Sequence, residues 1–226
     1  GKDSFEVKLS LYRDCNGIQL DTPSLNIGCK SSGTVTNATK KLLNKQVTDV
    51  TKTCDSLCTQ CESNSCNFQY GVEKQDYTFL VDLSQINCCK VRFSFSHCCR
   101  GNFSDVINCN KFYLKSWLDR CKAPCDNSPV FNEFPQVVLC KNQRYDCPNT
   151  IASPGEFDSM GLAKDSLIFE WAKALSGKNS ACSYPLWYSY DKPLKFKGFP
   201  NKNIPFPWGF HLDHWDGCLQ FTPIKK

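Results

Sequence analysis

The stretch Phe5-Glu6-Val7-Lys8-Leu9-Ser10-Leu11-Tyr12 alternates apolar and polar residues with strict period two. This alternation predicts a half-buried β-strand, because successive side chains of a strand point to opposite faces of a sheet. The stretch Arg13-Asp14-Cys15-Asn16-Gly17 follows, and its Asn-Gly pair is favoured in tight turns. The chain is therefore expected to open with a strand that ends in a turn.

Further strands are predicted along the chain. Apolar residues alternate again over residues 77–83 and 91–95, and the Thr- and Val-rich residues 34–36 and 47–51 are typical of exposed strands. Residues 111–118 fit either a strand or a helical face, and the flanking strands favour a strand. A strand is also expected near Leu167, and residues 217–223 predict a final strand closed by Pro223.

The clearest domain boundary is residues 121–129, where two prolines and a polar cluster interrupt the strand pattern. We predict a cysteine-rich β-sandwich domain over residues 1–125 and an immunoglobulin- or cadherin-like β-sandwich domain over residues 126–226. Short strands separated by turn signals are typical of such sandwiches. The predicted fold class is all-β: two antiparallel immunoglobulin-like β-sandwich domains in tandem, rich in disulfides.

Cysteine is the most informative residue type, with 17 among 226 residues. Reducing compartments keep thiols free, so this density indicates an extracellular, disulfide-bonded protein. All of the cysteines are structural disulfide candidates: Cys15, Cys29, Cys54, Cys58, Cys61, Cys66, Cys88, Cys89, Cys98, Cys99, Cys109, Cys121, Cys125, Cys140, Cys147, Cys182 and Cys218. Because 17 is odd, at least one thiol is expected to lack a partner within this stretch.

Three of these cysteines allow other chemistry. Cys54, Cys58 and Cys61 have the C-x3-C-x2-C spacing of an iron–sulfur site, and Cys58 and Cys61 have the spacing of a redox pair. Neither the α/β barrel of the first chemistry nor the strand–helix context of the second is visible, so disulfides are favoured over iron–sulfur, zinc or redox function.

Two vicinal pairs, Cys88-Cys89 and Cys98-Cys99, flank the strand over residues 91–95. Neighbouring strand residues point to opposite faces, so each pair is expected to bond two different partners. A vicinal disulfide that senses redox state is the alternative.

Composition excludes several function classes. The net charge is +5, from 27 basic and 22 acidic residues, and the scattered lysines do not favour nucleic-acid binding. No apolar run approaches the roughly 20 residues of a transmembrane helix. The first thirty residues contain no signal-peptide pattern, so any secretion signal is expected upstream of Gly1. With no serine nucleophile elbow and no glycine-rich phosphate loop, we predict neither enzymatic activity nor a cofactor.

Candidate ligand residues lie in the second half of the chain. The aromatic-rich end predicts a glycan platform formed by Trp187, Tyr188, Trp208 and Trp215, although such rings also fill sandwich cores. Metal sites are less favoured. Asp158 and Asp165 are weak calcium candidates on a polar loop, and His211-Leu212-Asp213-His214 is interpreted as a surface loop because prolines and glycines surround it.

Several strings occur in the order of a known family: Tyr12-Arg13-Asp14-Cys15, Ser96-His97-Cys98-Cys99-Arg100, Asn127-Ser128-Pro129-Val130-Phe131, Asp165-Ser166-Leu167-Ile168-Phe169 and residues 217–223. Together they resemble large surface proteins of Bacteroidota associated with gliding motility and type IX secretion. In that family an Asp-Gly-Asp turn precedes the Ser-Leu strand, and here only Asp165 matches it. A cysteine-bearing strand usually precedes the Phe5 strand, which implies that the partner of the odd cysteine was removed or belongs to a neighbouring subunit.

The resemblance implies an extracellular segment of a larger secreted protein. The predicted function is a non-enzymatic cell-surface module for adhesion or structural assembly. Its expected partners are cell-surface glycans or other surface subunits in an oligomeric or filamentous assembly. The alternative is a glycan-binding module that uses the aromatic-rich C-terminal region.

Overall fold

A computed structural model describes residues 3–30, 33–34, 38–51, 58–62, 71–98, 109–122, 127–131, 145–146, 152–153, 166–184, 210–212, 215 and 219–221. In these ranges the regular elements are all β-strands: β1 Ser4–Asp14, β2 Asn26–Cys29, β3 Gly33–Thr34, β4 Thr39–Asp49, β5 Val72–Asp82, β6 Lys90–Cys98, β7 Lys111–Asp119, β8 Val130–Phe131, β9 Tyr145–Asp146, β10 Ala152–Ser153, β11 Leu175–Gly177, β12 Ser180–Ala181, β13 Phe210–Leu212 and β14 Leu219–Phe221. The predicted all-β class is confirmed, and the described part of the chain contains no helix able to span a bilayer.

The chain divides into two compact units. Unit 1 comprises residues 1–96 and 114–125, and unit 2 comprises residues 97–113 and 126–226. The predicted boundary after residue 125 coincides with the end of unit 1. Residues 97–113, which the sequence placed in the first domain, belong to unit 2.

A three-stranded antiparallel sheet of unit 1 has the order β1-β5-β4. Strands β1 and β5 pair over their whole length, from Ser4↔Asp82 to Asp14↔Val72. Burial alternates along β1 as its sequence predicts. The strand continues two residues past Tyr12, because Arg13 extends its inner face. The predicted turn follows, with the Gly17 amide donating to the Asp14 carbonyl at 2.8 Å.

A second sheet has the order β3-β2-β6-β7. Strand β6 contains the predicted residues 91–95, which are buried on both faces. The ambiguous residues 111–118 lie in strand β7, which confirms the strand interpretation. Of the two predicted exposed strands, residues 47–49 belong to the longer β4, and residue 34 belongs to β3 while residues 35–36 lie outside the described ranges.

The hydrophobic core of unit 1 consists of apolar side chains from both sheets and from the segments that flank their strands. Burying such side chains is the main favourable term in folding, at roughly 1.5–3 kcal/mol for each large apolar group. The buried apolar residues of unit 1 are Leu11, Leu25, Ile27, Cys29, Tyr77, Phe79, Val81, Leu83, Ile86, Val91, Phe93 and Phe95.

The described strands of unit 2 are short. They form the pairs β8–β10 and β11–β12 and the three-stranded sheet β13-β14-β9, all antiparallel. Strand β14 lies in the predicted final strand. The strand predicted near Leu167 is not formed: burial alternates over residues 166–171, but this segment pairs with no described strand.

Candidate functional site

Disulfides dominate the described part of the chain. Four are formed between described cysteines: Cys15–Cys61, Cys29–Cys88, Cys89–Cys121 and Cys109–Cys182. Cys58 and Cys98 are disulfide-bonded as well, so each described cysteine is oxidised and the predicted disulfide bonding is confirmed. The remaining candidates lie outside the described residues: Cys54, Cys66, Cys99, Cys125, Cys140, Cys147 and Cys218.

These pairings distinguish structural disulfides from a redox pair, a metal cluster and a vicinal disulfide. Cys61 bonds Cys15, which is 46 residues away, so Cys61 neither forms a redox pair with Cys58 nor offers a thiolate to a metal cluster. The vicinal pair Cys88-Cys89 is divided as predicted, with Cys88 bonded to Cys29 and Cys89 to Cys121. No group of three potential metal ligands occurs within the described ranges.

The Cys15–Cys61 bond, called the clamp disulfide below, joins the turn after β1 to the cysteine-rich segment before β5. The Cys15 amide donates to the Gly71 carbonyl at 3.0 Å, which ties the turn to the start of β5. A Cβ atom at Gly71 would lie 2.9 Å from the Cys61 Sγ and 3.1 Å from its amide nitrogen. Only glycine therefore leaves room for the clamp at this position.

A buried polar network lies on the inner face of β1 and β5, beside the clamp. The Arg13 Nε donates to the Glu73 Oε1 at 2.8 Å, and the Arg13 Nη1 donates to the Gly17 carbonyl at 2.8 Å. Glu73 also accepts a hydrogen bond from Gln75, whose own side-chain oxygen accepts one from the Tyr77 hydroxyl at 2.5 Å. The network connects the core to the turn carbonyls, and satisfied networks of this kind favour a single packing arrangement.

The electrostatics of the network keep Glu73 ionised. The hydrogen bond from the Arg13 guanidinium lowers the pKa of Glu73 below its usual 4.5, burial opposes that shift, and the hydrogen bond from Gln75 adds to it. A carboxylate that is stabilised as an anion is a poor general acid, so the network is suited to a structural role.

A second polar cluster joins the cysteine-rich segment before β5 to the end of β4. The Thr59 hydroxyl donates to the Asp49 Oδ2 at 2.5 Å, and the Thr51 amide donates to its Oδ1 at 2.8 Å. Burial raises the pKa of Asp49, but the hydrogen bonds from both threonines outweigh it and lower that pKa. The Val72 amide donates to the Thr51 hydroxyl at 2.8 Å, so the cluster fixes the ends of β4 and β5 together.

The sequence predicted none of these polar contacts as a site. The alternation of apolar and polar residues predicts β1 only as far as Tyr12, although Arg13 is the next residue on its inner face. A signal was present, because charged residues at inward positions of a strand need partners. The partner is 60 residues away and becomes evident only from the β1–β5 register.

Most predicted ligand residues lie outside the described ranges, namely Trp187, Tyr188, Trp208, Asp158, Asp165, Asp213 and His214. Trp215 is described, and 73% of its surface is exposed. His211, interpreted as part of a loop, lies instead in strand β13 and pairs with Gln220. Strand pairing overrides the surrounding glycine and proline signals at this position.

Comparison of the chain with protein-family models, with curated proteins and with solved structures finds no match.

Proposed function

We propose that this chain is a non-enzymatic extracellular module of a larger cell-surface protein, acting in adhesion or structural assembly. The observation that carries the proposal is that all ten described cysteines are disulfide-bonded. Such bonds persist in oxidising surroundings and are rare where thiols are kept reduced. The resemblance to gliding-motility and type IX secretion proteins supports the same location.

The module would be mechanically stable outside the cell. The four assigned disulfides join cysteines 32 to 73 residues apart, and each such bond contributes about 3–4 kcal/mol by restricting the unfolded chain. The proposed architecture is two immunoglobulin-like sandwiches in tandem. The sandwich-like sheets of unit 1 support this architecture for the first of them.

One experiment tests both the surface location of the chain and its role in attachment. Intact source cells are labelled with a membrane-impermeant amine reagent, and a strain lacking the gene is compared with its parent for attachment to surfaces and to other cells. Labelling of the chain together with an attachment defect in the deletion strain is the expected result. A chain that is labelled only after cell lysis, or a deletion strain that attaches normally, would contradict the proposal.

A glycan-binding module is the second candidate, and the exposed indole of Trp215 favours it. Exposed tryptophan rings stack on sugar rings because both present flat apolar surfaces. The test is a glycan array probed with the whole chain and with Trp215→Ala. The control is Phe131→Ala, which removes another exposed aromatic ring of unit 2. Binding that is lost only with Trp215→Ala supports this candidate, and an array without binders removes it.

A further inference from the structure

Arg92 is a buried cation that forms no ion pair with a described residue. It lies in β6 opposite Gly28, which places no side chain beside it, and only 8% of its surface is exposed. Its Nε has no hydrogen-bond partner, and no carboxylate among the described residues forms an ion pair with it. Burying a charge in this way is costly unless a partner arrives.

Among the described residues, the Arg92 guanidinium interacts with an aromatic ring. Its Cζ lies 5.8 Å from the centroid of the Trp117 ring, which belongs to the neighbouring strand β7. This cation–π contact offsets part of the desolvation cost but satisfies no N–H group. Trp117 itself is 47% exposed, so part of the indole remains accessible beside the guanidinium.

Two lysines lie next to this pair. Lys90 is two residues before Arg92 in β6 and therefore faces the same side of the sheet. Lys30 is opposite Lys90, and the Lys30 amide donates a hydrogen bond to the Lys90 carbonyl at 3.0 Å. Both line an open groove of about 430 Å³ together with Cys88 and Cys89. Asp119 lies 3.6 Å from the Lys90 ammonium, which leaves the group with a net positive charge.

We propose that Lys30, Lys90, Arg92 and Trp117, called the Arg92 patch, bind a carboxylate-bearing sugar of an acidic polysaccharide. The planar guanidinium matches a carboxylate in a two-pronged arrangement through its two terminal Nη groups, which hydrogen-bond to no described residue. The exposed indole packs against the apolar face of the sugar ring. The lysines attract the polyanion along the groove.

The acidic sugar is favoured over an acidic peptide by the shape of the patch. A single guanidinium beside a flat, half-exposed indole suits one carboxylate attached to a rigid ring. The site lies entirely within unit 1 and does not depend on Trp215 or on the adhesion proposal.

The test is calorimetric titration of the whole 226-residue chain with trigalacturonate. Its methyl ester, which has the same rings without charge, and pentaglutamate, which has carboxylates without rings, serve as comparison ligands. We expect trigalacturonate to bind, both comparison ligands to bind at least tenfold more weakly, and the affinity to fall as salt is added. Equal binding of the methyl ester or of pentaglutamate would overturn the proposal.

Variants then locate the site. Arg92→Met is expected to weaken binding about tenfold or more, because a charge-assisted contact is lost. Trp117→Leu should weaken it about three- to tenfold, and Arg92→Lys keeps the charge but loses the planar fork, so it should also weaken binding. Lys41→Gln, an exposed cation of β4 outside the patch, should change affinity less than twofold. Unchanged affinity in Arg92→Lys and Trp117→Leu would overturn the proposal even if Arg92→Met failed to fold.

Discussion

Replacing Glu73 by glutamine removes one negative charge from the buried network and leaves its shape unchanged. The side chains of Arg13 and Glu73 are only 8% and 13% exposed, and their contact distance is 2.8 Å. The glutamine amide oxygen can still accept the hydrogen bond from Arg13. The variant therefore isolates the contribution of the charge from that of packing.

The expected loss of unfolding free energy depends on the hydrogen bonds that Arg13 keeps in Glu73→Gln. Its guanidinium keeps hydrogen bonds to the Cys15 and Gly17 carbonyls, but its charge is no longer compensated. Removing one partner of a buried ion pair typically costs 3–5 kcal/mol, and the retained carbonyl contacts reduce this to about 2–4 kcal/mol for Glu73→Gln. Arg13→Met also removes the carbonyl contacts and should cost about 3–5 kcal/mol.

The assay is guanidinium-induced unfolding of the oxidised protein, followed by circular dichroism. The matched control is Lys74→Gln, since Lys74 forms an ion pair with Asp76 at 2.9 Å on the same strand, but both side chains are about one-third exposed. Such exposed pairs contribute less than about 1 kcal/mol. If Glu73→Gln costs no more than this control, the reasoning about the buried charge is refuted.

The stability difference between the native chain and Glu73→Gln should depend on pH. Because the folded-state pKa of Glu73 is lowered below 4.5, the stabilisation from its charge is complete above pH 4.5 and is lost as the pH falls through the lowered value. The stability difference between the native chain and Glu73→Gln should therefore be largest near neutral pH and shrink in acid. A difference that stays constant down to pH 2 would contradict the assignment.

Other predictions test the clamp, the disulfide pairing and the sheet edge. Gly71→Ala places a Cβ about 2.9 Å from the clamp disulfide, so the variant should be reduced faster by dithiothreitol, measured by thiol alkylation and mass spectrometry. Cys89→Ser combined with Cys121→Ser opens a connection of 32 residues and should lower the free energy of unfolding by about 3–4 kcal/mol in denaturant titrations. Lys41→Val combined with Lys45→Val should increase self-association in sedimentation velocity, because both lysines lie on β4, whose outer edge pairs with no described strand.

Local patterns predicted the strands that carry the core. Residues 5–12, 77–83 and 91–95 alternate in sequence, and the structure places them in β1, β5 and β6, except that β5 ends at Asp82, one residue before Leu83. In β1 and β5 this period-two signal also predicts which side chains are buried, whereas residues 91–95 of β6 are buried on both faces. The segment near Leu167 shows the limit of this signal, because residues 166–171 alternate in burial but pair with no described strand.

Long-range contacts could not be predicted in the same way. The sequence identified the cysteines as disulfide candidates, but the pairing of Cys15 with Cys61 depends on how β1 and β5 align. Likewise, nothing near Arg92 in the sequence indicates that Trp117 will cover its guanidinium. Both contacts depend on the register of strands that are distant in sequence, and register is a property of the assembled sheet.

The amino-acid composition of strand β4 indicates how its outer edge avoids pairing with other chains. All eleven of its residues are exposed, yet ten of them align with β5, with a register shift between Leu42 and Asn44. Its outer edge pairs with no described strand, and an open edge invites another chain to add a strand. The three lysines of the strand and its irregularity disfavour such pairing, since stacked chains would bring like charges together. A surface module that assembles with its neighbours would therefore need either opposite charges facing this edge or a different contact surface. For this reason the lysine variants of β4 are expected to raise non-specific association rather than abolish a specific one.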